Sequence, residues 1–416
     1  MPLDRLETVL RRHVADLEDR GTAKGEEAAV TRVVPPRDGR GPRFVLEGEG
    51  DREFIRMNSN SYLGLSFRPE LIEAEDAAVR AYGTGPGAVR FISGTYSPHT
   101  TLERRLARFH GREAAMIFSS AYATMLGVLT PLVSAETVIV SDELNHNCII
   151  NAIRLARPLD KVIYPHLDLD ALEKGIQGAV GRAKRVIVVT DGIFSMRGNH
   201  APLDRIMEIA RRYDDHFEEN VVVLVDDSHG VGAFGRTGRG TEEYTASPPV
   251  DLLVGTLGKA FGVNGGYVVA SEAVIRYLRE SAPFYIYSNP ITPGEAAAAL
   301  AAVELVDSPA GSELLERLRS LTRRFEEGLV ALGFETIPSE HPVTPLLVRD
   351  TARTRDLVRY LFQNGILATG LAYPVVPYGD EKIRFQINAD HTEADIDEVL
   401  AVLKAYRETG AKAIAG

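Results

Sequence analysis

The 416-residue chain contains a single cysteine, Cys148. One thiol excludes an internal disulfide framework and fits a reducing cytosol, so the expected compartment is the cytoplasm. Cys148 and His146 lie two positions apart with no second cysteine pair, which is not a zinc spacing, and no metal site is expected. Long apolar runs are missing as well. None approaches the roughly 20 residues of a membrane-spanning helix. The opening stretch, residues 1–20, is charged throughout and reads as neither a secretory signal nor a membrane anchor. Positive charge is outweighed, with 47 Lys and Arg against 58 Asp and Glu, giving a formal net charge of −11. Such a field repels phosphate backbones and argues against a nucleic-acid partner. A local arginine patch can still receive a small anion. Internal repeats and low-complexity tracts are absent.

What is present is an ordinary soluble composition, 44% hydrophobic and 25% charged, in a chain long enough for two domains. Residues 1–43 read as a charged helix followed by a polar linker through Pro35-Pro36-Arg37-Asp38-Gly39. Residues 44–294 form the expected large domain. Strand-like runs at Ala115–Phe118, Thr137–Val140, Lys161–Tyr164, Arg185–Thr190, Val221–Val225 and Asp251–Val254 alternate with helical stretches. Those helices are Leu102–Phe109, Tyr122–Val133, Cys148–Ala156, Leu169–Ala179 and Pro202–Tyr213. Near-continuous apolar strands between helices predict an α/β fold with a mostly parallel sheet covered on both faces. Ligands of such sheets sit beyond the carboxyl ends of the strands. Residues 295–416 read as a smaller α+β domain. Its helices are Glu313–Leu332, Thr354–Asn364 and Glu393–Arg407, and its strands Val343–Val348 and Lys382–Gln386.

Several polar motifs fall at the predicted strand ends. Gly255-Thr256-Leu257-Gly258-Lys259-Ala260-Phe261-Gly262 sets one lysine among small residues. A lysine that must form an imine with an aldehyde wants partial desolvation, a lowered pKa and a closely approaching backbone. On its own the segment fits a surface lysine in a glycine-rich loop equally well. Asp226-Asp227-Ser228-His229 follows a buried strand and, taken alone, fits a cap or a turn. Paired with Lys259, an aspartate offers what pyridoxal phosphate requires: a carboxylate for the ring nitrogen and an amine for the aldehyde carbon.

Ser119-Ser120-Ala121-Tyr122 lies between a strand and a helix, where backbone N–H groups can hold a phosphate, or where a serine simply caps the helix. His146 stands where an aromatic ring could cover a planar cofactor, or is an ordinary histidine. Arg384 can clamp a carboxylate bidentately, or is a surface strand arginine. Gly230-Val231-Gly232-Ala233-Phe234-Gly235 matches a dinucleotide fingerprint, but the turn-rich Arg236–Gly240 follows in place of a helix. Gly258-Lys259 lacks the upstream spacing of a P-loop.

The ordered runs SNSYLGL (59–65), GTGPGAVRFISGT (83–95), SDELNHNCII (141–150), TDGIFSM (190–196), VDDSHGVGAFGRTGRG (225–240), GTLGKAFG (255–262) and IRFQINADHT (383–392) resemble the α-oxoamine synthases. That resemblance implies a fold type I pyridoxal-phosphate-dependent acyltransferase, with an amino acid and an acyl-CoA as substrates. It also implies a homodimer whose active site is shared between subunits. Lys259 would link to the cofactor and shuttle the substrate Cα proton. Asp226 would pair with the ring nitrogen, and His229 and Ser195 would contact the ring hydroxyl. His146 would stack on the ring. Ser120, Ala121, Tyr122 and Thr256 would bind the phosphate, joined by Ser288 from the neighbouring subunit. Asn60 and Arg384 would hold the amino-acid carboxylate. Within the family, AVRFISGT, TDGIFSM and YPVVPYG (373–379) most resemble glycine C-acetyltransferase, so glycine with acetyl-CoA is the first expectation. Its alternative is the 8-amino-7-oxononanoate synthase pair, alanine with pimeloyl-CoA. More distant readings are a type I aminotransferase and a non-catalytic nucleotide-binding protein. Asn147 and Cys148 depart from the family's usual alanine and serine, which puts the local substrate contacts in question.

Overall fold

The computed structural model describes residues 3–414 apart from Gly21, Lys24, Glu26 and Pro374, with side chains described through residue 408. Pro374 belongs to the 373–379 run singled out above and lies outside the described residues.

The charged opening forms helix α1 (Asp4–Asp19), which buries none of its side chains. The sequence following it is not all linker. Three strands, β1 (Val30–Val34), β2 (Arg43–Leu46) and β3 (Glu53–Arg56), pair antiparallel in turn. In β1 only Val34 is buried, so its apolar alternation is too weak to stand out in the sequence. Helices α2 (Pro69–Tyr82) and α3 (Ser97–Phe109) lead into the main sheet. Ser97-Pro98 opens α3 well before the predicted Leu102, with the proline in the first turn, where its missing N–H costs nothing.

The main sheet contains β4 (Ala114–Phe118), β5 (Thr137–Asp142), β6 (Asp160–Tyr164), β7 (Arg185–Asp191), β8 (Val221–Asp226), β9 (Leu252–Thr256) and β10 (Gly266–Ala270). Their order is β4-β10-β9-β8-β7-β5-β6. Six run parallel, as predicted. The seventh, β10, is an unpredicted strand that runs antiparallel between β4 and β9. It is five buried residues long and follows Gly265, whose φ of +117° few other residues tolerate, so it reads as the tail of a glycine-rich loop.

Alternation along the strands puts apolar side chains on both faces. Ile117, Val140, Val188, Val225, Leu253 and Tyr267 join one core, while Phe118, Ile139, Val189, Leu224, Val254 and Val268 join the other. The first face is covered by α3 together with helices Leu169–Gln177 and Leu203–Tyr213. The second is covered by α4 (Ala121–Leu132), α5 (Asn147–Ala156) and helix Glu272–Ser281. Burial on both sides is what turns these segments into near-continuous apolar runs.

After helices Pro293–Val306 and Pro309–Ala331, the chain adds β11 (Glu335–Thr336), β12 (Val343–Leu347), β13 (Ile366–Leu367), β14 (Thr369–Leu371) and β15 (Lys382–Gln386). Four of them form an antiparallel sheet in the order β11-β12-β15-β14. The fifth, β13, instead pairs in parallel with β3, joining the start and the end of the chain in one small sheet. Helix Thr351–Gln363 is capped by Asp350, whose carboxylate accepts the Arg353 N–H at 2.7 Å.

Candidate active site

The parallel strands point their carboxyl ends at one place. Asp191 ends β7 and Asp226 ends β8, side by side in register. The segment after β4 enters α4, the segment after β5 enters α5, and Lys259 follows β9. Ala121, Tyr122, His146, Ser195, Asp226, His229 and Lys259, all predicted, line one cavity of about 50 Å³, together with the unpredicted Cys148, Asp191, Ile193 and Ser228.

Asp226 is held in place from two directions. Its Oδ1 accepts the Ser228 N–H at 3.1 Å, and its Oδ2 accepts the Cys148 thiol at 3.4 Å. Burial, with Asp226 and Asp191 beside it, pushes the Cys148 thiol pKa up, so it stays a donor. His146 is the N-cap of α5. Its Nδ1 accepts the Cys148 N–H at 3.2 Å, and its own N–H donates to Asp191 Oδ2 at 3.0 Å. Thus Cys148 contacts the carboxylate and the imidazole, and it does so from a buried position. The departing neighbour Asn147 accepts a hydrogen bond from the Tyr122 hydroxyl at 3.0 Å. Both departures therefore touch residues assigned to the cofactor.

The preceding and following carboxylates behave differently. Desolvation raises the Asp191 pKa well above the usual carboxylate range, and the adjacent Asp226 adds to it. Asp227 faces away from the cavity and is fully buried. It accepts from Thr241 N at 2.7 Å and from Thr241 Oγ1 at 2.6 Å. A Cβ on Gly230, Gly192 or Gly240 would press on the Asp227 carboxylate. Gly230 and Gly240 thus close around a buried side chain, while a Cβ on Gly232 would press on Ala260 and one on Gly235 on Glu243, so packing within the chain accounts for the glycines of the Gly230–Gly235 run.

Burial lowers the Lys259 pKa, opposed by Asp226, Asp191 and Cys148. A larger fraction of neutral amine results, as imine chemistry and proton transfer both need. His229 lies under the same pressure: burial first, then the neighbouring Lys259, hold it well below the usual histidine value. Its Nδ1 is 2.6 Å from the Tyr62 hydroxyl, and its carbonyl accepts from His341 Nε2 at 2.9 Å.

The other predicted residues are not part of this lining. Arg384 on β15 donates from Nη1 to the Ser195 carbonyl at 3.2 Å. Asn60 accepts from the Gln386 side-chain amide, two residues further along the same strand. Thr256 ends β9, accepting the Gly258 N–H at 3.1 Å and donating to the Gly265 carbonyl at 3.2 Å. Ser120 caps α4, its hydroxyl accepting the Ala123 N–H at 3.1 Å. That cap leaves the first N–H groups of the helix, at Ala121 and Tyr122, without an intrahelical partner. Ser288 stands outside the cavity, on the segment after helix Pro283–Ile286.

These residues fit pyridoxal phosphate. Ser228 Oγ and Arg384 Nε are buried without a partner, one in the cavity wall and one beside it. Unsatisfied buried polar atoms are costly, and a polar ligand would relieve them. A Cβ on Gly266 would press on Ala121 N and Thr124 Oγ1, so only glycine lets β10 approach the helix N-terminus that would seat the phosphate.

Tyr62, Asp191, Ser228 and Gln386 were not anticipated. Tyr62 had a legible signal: it opens the short stretch Tyr62-Leu63-Gly64-Leu65, and a phenol buried there needs a hydrogen-bond partner. Asp191 and Gln386 depend on strand register, which the sequence does not display, and Ser228 stood in the Asp226–His229 motif without a role.

A sheet of this order, with an amine, a carboxylate and a helix N-terminus at its carboxyl edge, is the fold type I arrangement of pyridoxal-phosphate-dependent transferases. The family profile for aminotransferases of class I and II matches residues 52–403. Proteins named 8-amino-7-oxononanoate synthase are similar along nearly the whole chain. That of Geobacter sulfurreducens is 41% identical over 364 residues, covering 87% of this chain and 90% of that protein. That of Bacillus velezensis is 39% identical over 367 residues, covering 88% and 90%. Among solved structures, Sphingomonas wittichii serine palmitoyltransferase superposes with a TM-score of 0.87 at 26% identity, covering 98% of this chain and 99% of that one. A structure of SPT with PLP superposes at a TM-score of 0.84 and 26% identity, covering 97% of each chain. The chain belongs to the class I and II aminotransferase family, within its pyridoxal-phosphate-dependent α-oxoamine synthases. It is an acyltransferase-type enzyme. The narrower likeness to glycine C-acetyltransferase gives way, because the relatives carry the other member's name. Among the described residues, no helix is long and apolar enough to cross a membrane.

Proposed function

We propose that the chain condenses alanine with pimeloyl-CoA, releasing CoA and CO₂ and giving 8-amino-7-oxononanoate. One observation carries this reading: relatives of that name match 85–89% of the chain at 39–41% identity. Pyridoxal phosphate, when bound, supplies a ring that accepts the electron pair left at the amino-acid Cα.

The rest falls to the chain's own residues. Lys259 Nζ, with its lowered pKa, takes the Cα proton and later returns it. Arg384 and Asn60 hold the amino-acid carboxylate and so orient the Cα–H bond for removal. With the cofactor bound, Asp226 would hold the pyridine nitrogen, His146 would cover the ring, and Ser195 and His229 would hold the ring hydroxyl. The N–H groups of Ala121 and Tyr122, with Ser120 and Thr256, would receive the phosphate. Ser288 completes that seat from the neighbouring subunit of a homodimer.

CoA release measured over a grid of amino acids and acyl-CoA thioesters tests the reading. Alanine with pimeloyl-CoA should give the highest kcat/KM. A preference for glycine with acetyl-CoA would overturn it, as would amino transfer to a keto acid without CoA release.

A further inference from the structure

Tyr62 lies in the run 59–65, at a position no role has yet claimed. Its ring is 0% exposed and its hydroxyl is 2.6 Å from His229 Nδ1. A hydroxyl has one proton to give. The competing acceptor, Asn60 Oδ1, is further away at 3.4 Å and already receives the Gln386 amide. Burial pushes the Tyr62 pKa up, so the phenol keeps its proton. His229 stays neutral, because burial, Lys259, His341, Arg384 and His146 all disfavour its cation. A neutral imidazole carries one N–H and one lone pair, and the tautomer is set by the partner of the buried nitrogen.

The surroundings hold this pair still. His341 Nε2 lies 2.9 Å from the His229 carbonyl, so it makes no demand on the imidazole ring nitrogens. The same His341 ring packs edge-on against Tyr62, with centroids 5.3 Å apart, which fixes the plane of the phenol.

We propose that Tyr62 is a positioning residue that fixes the tautomer of His229. Its O–H donates to Nδ1, the ring proton resides on Nε2, and the cavity is offered an N–H in place of a lone pair. An N–H suits the ionised ring oxygen of pyridoxal phosphate, whereas a lone pair would repel it. The inference rests on the cofactor assignment and on His229 at the ring hydroxyl, and is independent of the amino acid and acyl donor.

Two measurements on the cofactor-loaded enzyme test it, neither requiring turnover. The first is the pH midpoint of the bound cofactor's absorbance. In Tyr62→Phe that midpoint should rise by about one pH unit, a tenfold change in the proton equilibrium. In the double variant Tyr62→Phe/His229→Asn it should match that of His229→Asn alone, because Tyr62 acts through His229. An unchanged midpoint in Tyr62→Phe, or additive shifts in the double variant, would overturn the proposal. The second uses the unaltered enzyme, so it survives any folding defect of the variants. Imidazole ¹⁵N shifts of His229 should show a lone pair on Nδ1 and a proton on Nε2, and the reverse tautomer would overturn it. A protein that shows no cofactor absorbance at all would instead defeat the cofactor assignment.

Discussion

A cavity beside the small N-terminal sheet and the cavity at the strand ends make opposite use of their walls. The larger one, about 950 Å³, lies among the small N-terminal sheet, α2 and helix Pro309–Ala331. Val33, Pro35, Phe67, Leu305 and Leu314 supply much of its surface, and Arg317 on its wall donates to the His391 carbonyl at 2.7 Å. Among the described residues, none of the buried polar atoms left without a partner belongs to that wall. The strand-end cavity has about a twentieth of the volume, yet brings together an amine, two carboxylates, a thiol and two imidazoles. Chemistry here follows unsatisfied, perturbed polar groups, and volume is a poor guide to it.

Three changes would break or sharpen that contrast. Lys259→Ala should have the largest effect. It should abolish turnover, by more than the roughly 10²–10⁴-fold expected for loss of a general base alone, because the cofactor's anchor goes with it. The lysine-linked cofactor absorbance should vanish, and an active variant would sink the assignment.

Asp227→Asn separates scaffold from site within one strand end. The Asp227 carboxyl is pushed up to about 7 by burial, against an ordinary value of 3.8. Between these values the folded state keeps a proton that the unfolded chain releases, so stability falls as pH rises across that window. At about 1.4 kcal/mol per unit the loss approaches about 4 kcal/mol by neutral pH. The variant lacks this titration, so its unfolding free energy relative to the parent should climb between pH 4 and 7. A pH-independent difference between the two proteins would count against it, and kcat should stay near the parent value.

Leu314→Ala, in the wall of the large cavity, should have the smallest effect on catalysis. It should lower the thermal midpoint, with a stability loss of about 1–2 kcal/mol for a half-buried leucine. Its kcat and KM should stay within about twofold. A large catalytic defect there would erase the distinction between the two cavities.

The parallel strands and their helices were legible because both faces are apolar, so strands such as Arg185–Asp191 stand out as continuous runs. Lys259, Asp226 and His146 were legible as polar residues at the ends of those runs. Neither β1 nor β13 was: one is almost wholly exposed and the other only two residues long. The pairing of Cys148 with Asp226 was also hidden, since it joins residues 78 positions apart. Substrate identity stayed open for the same reason, because side chains that grip a ligand are assembled from several strands.

The antiparallel strand β10 has a consequence for how the enzyme can vary. Gly266 is registered against Phe118 at the end of β4 and against Thr256 at the end of β9. One residue therefore indexes both the helix entrance on one side and the lysine segment on the other. The span between them is two interstrand spacings, about 10 Å, whatever the intervening loops contain. Loops around the rim are free to lengthen, shorten or change charge to suit a new acyl chain, while this gauge keeps the two ends of the cofactor's berth at constant separation.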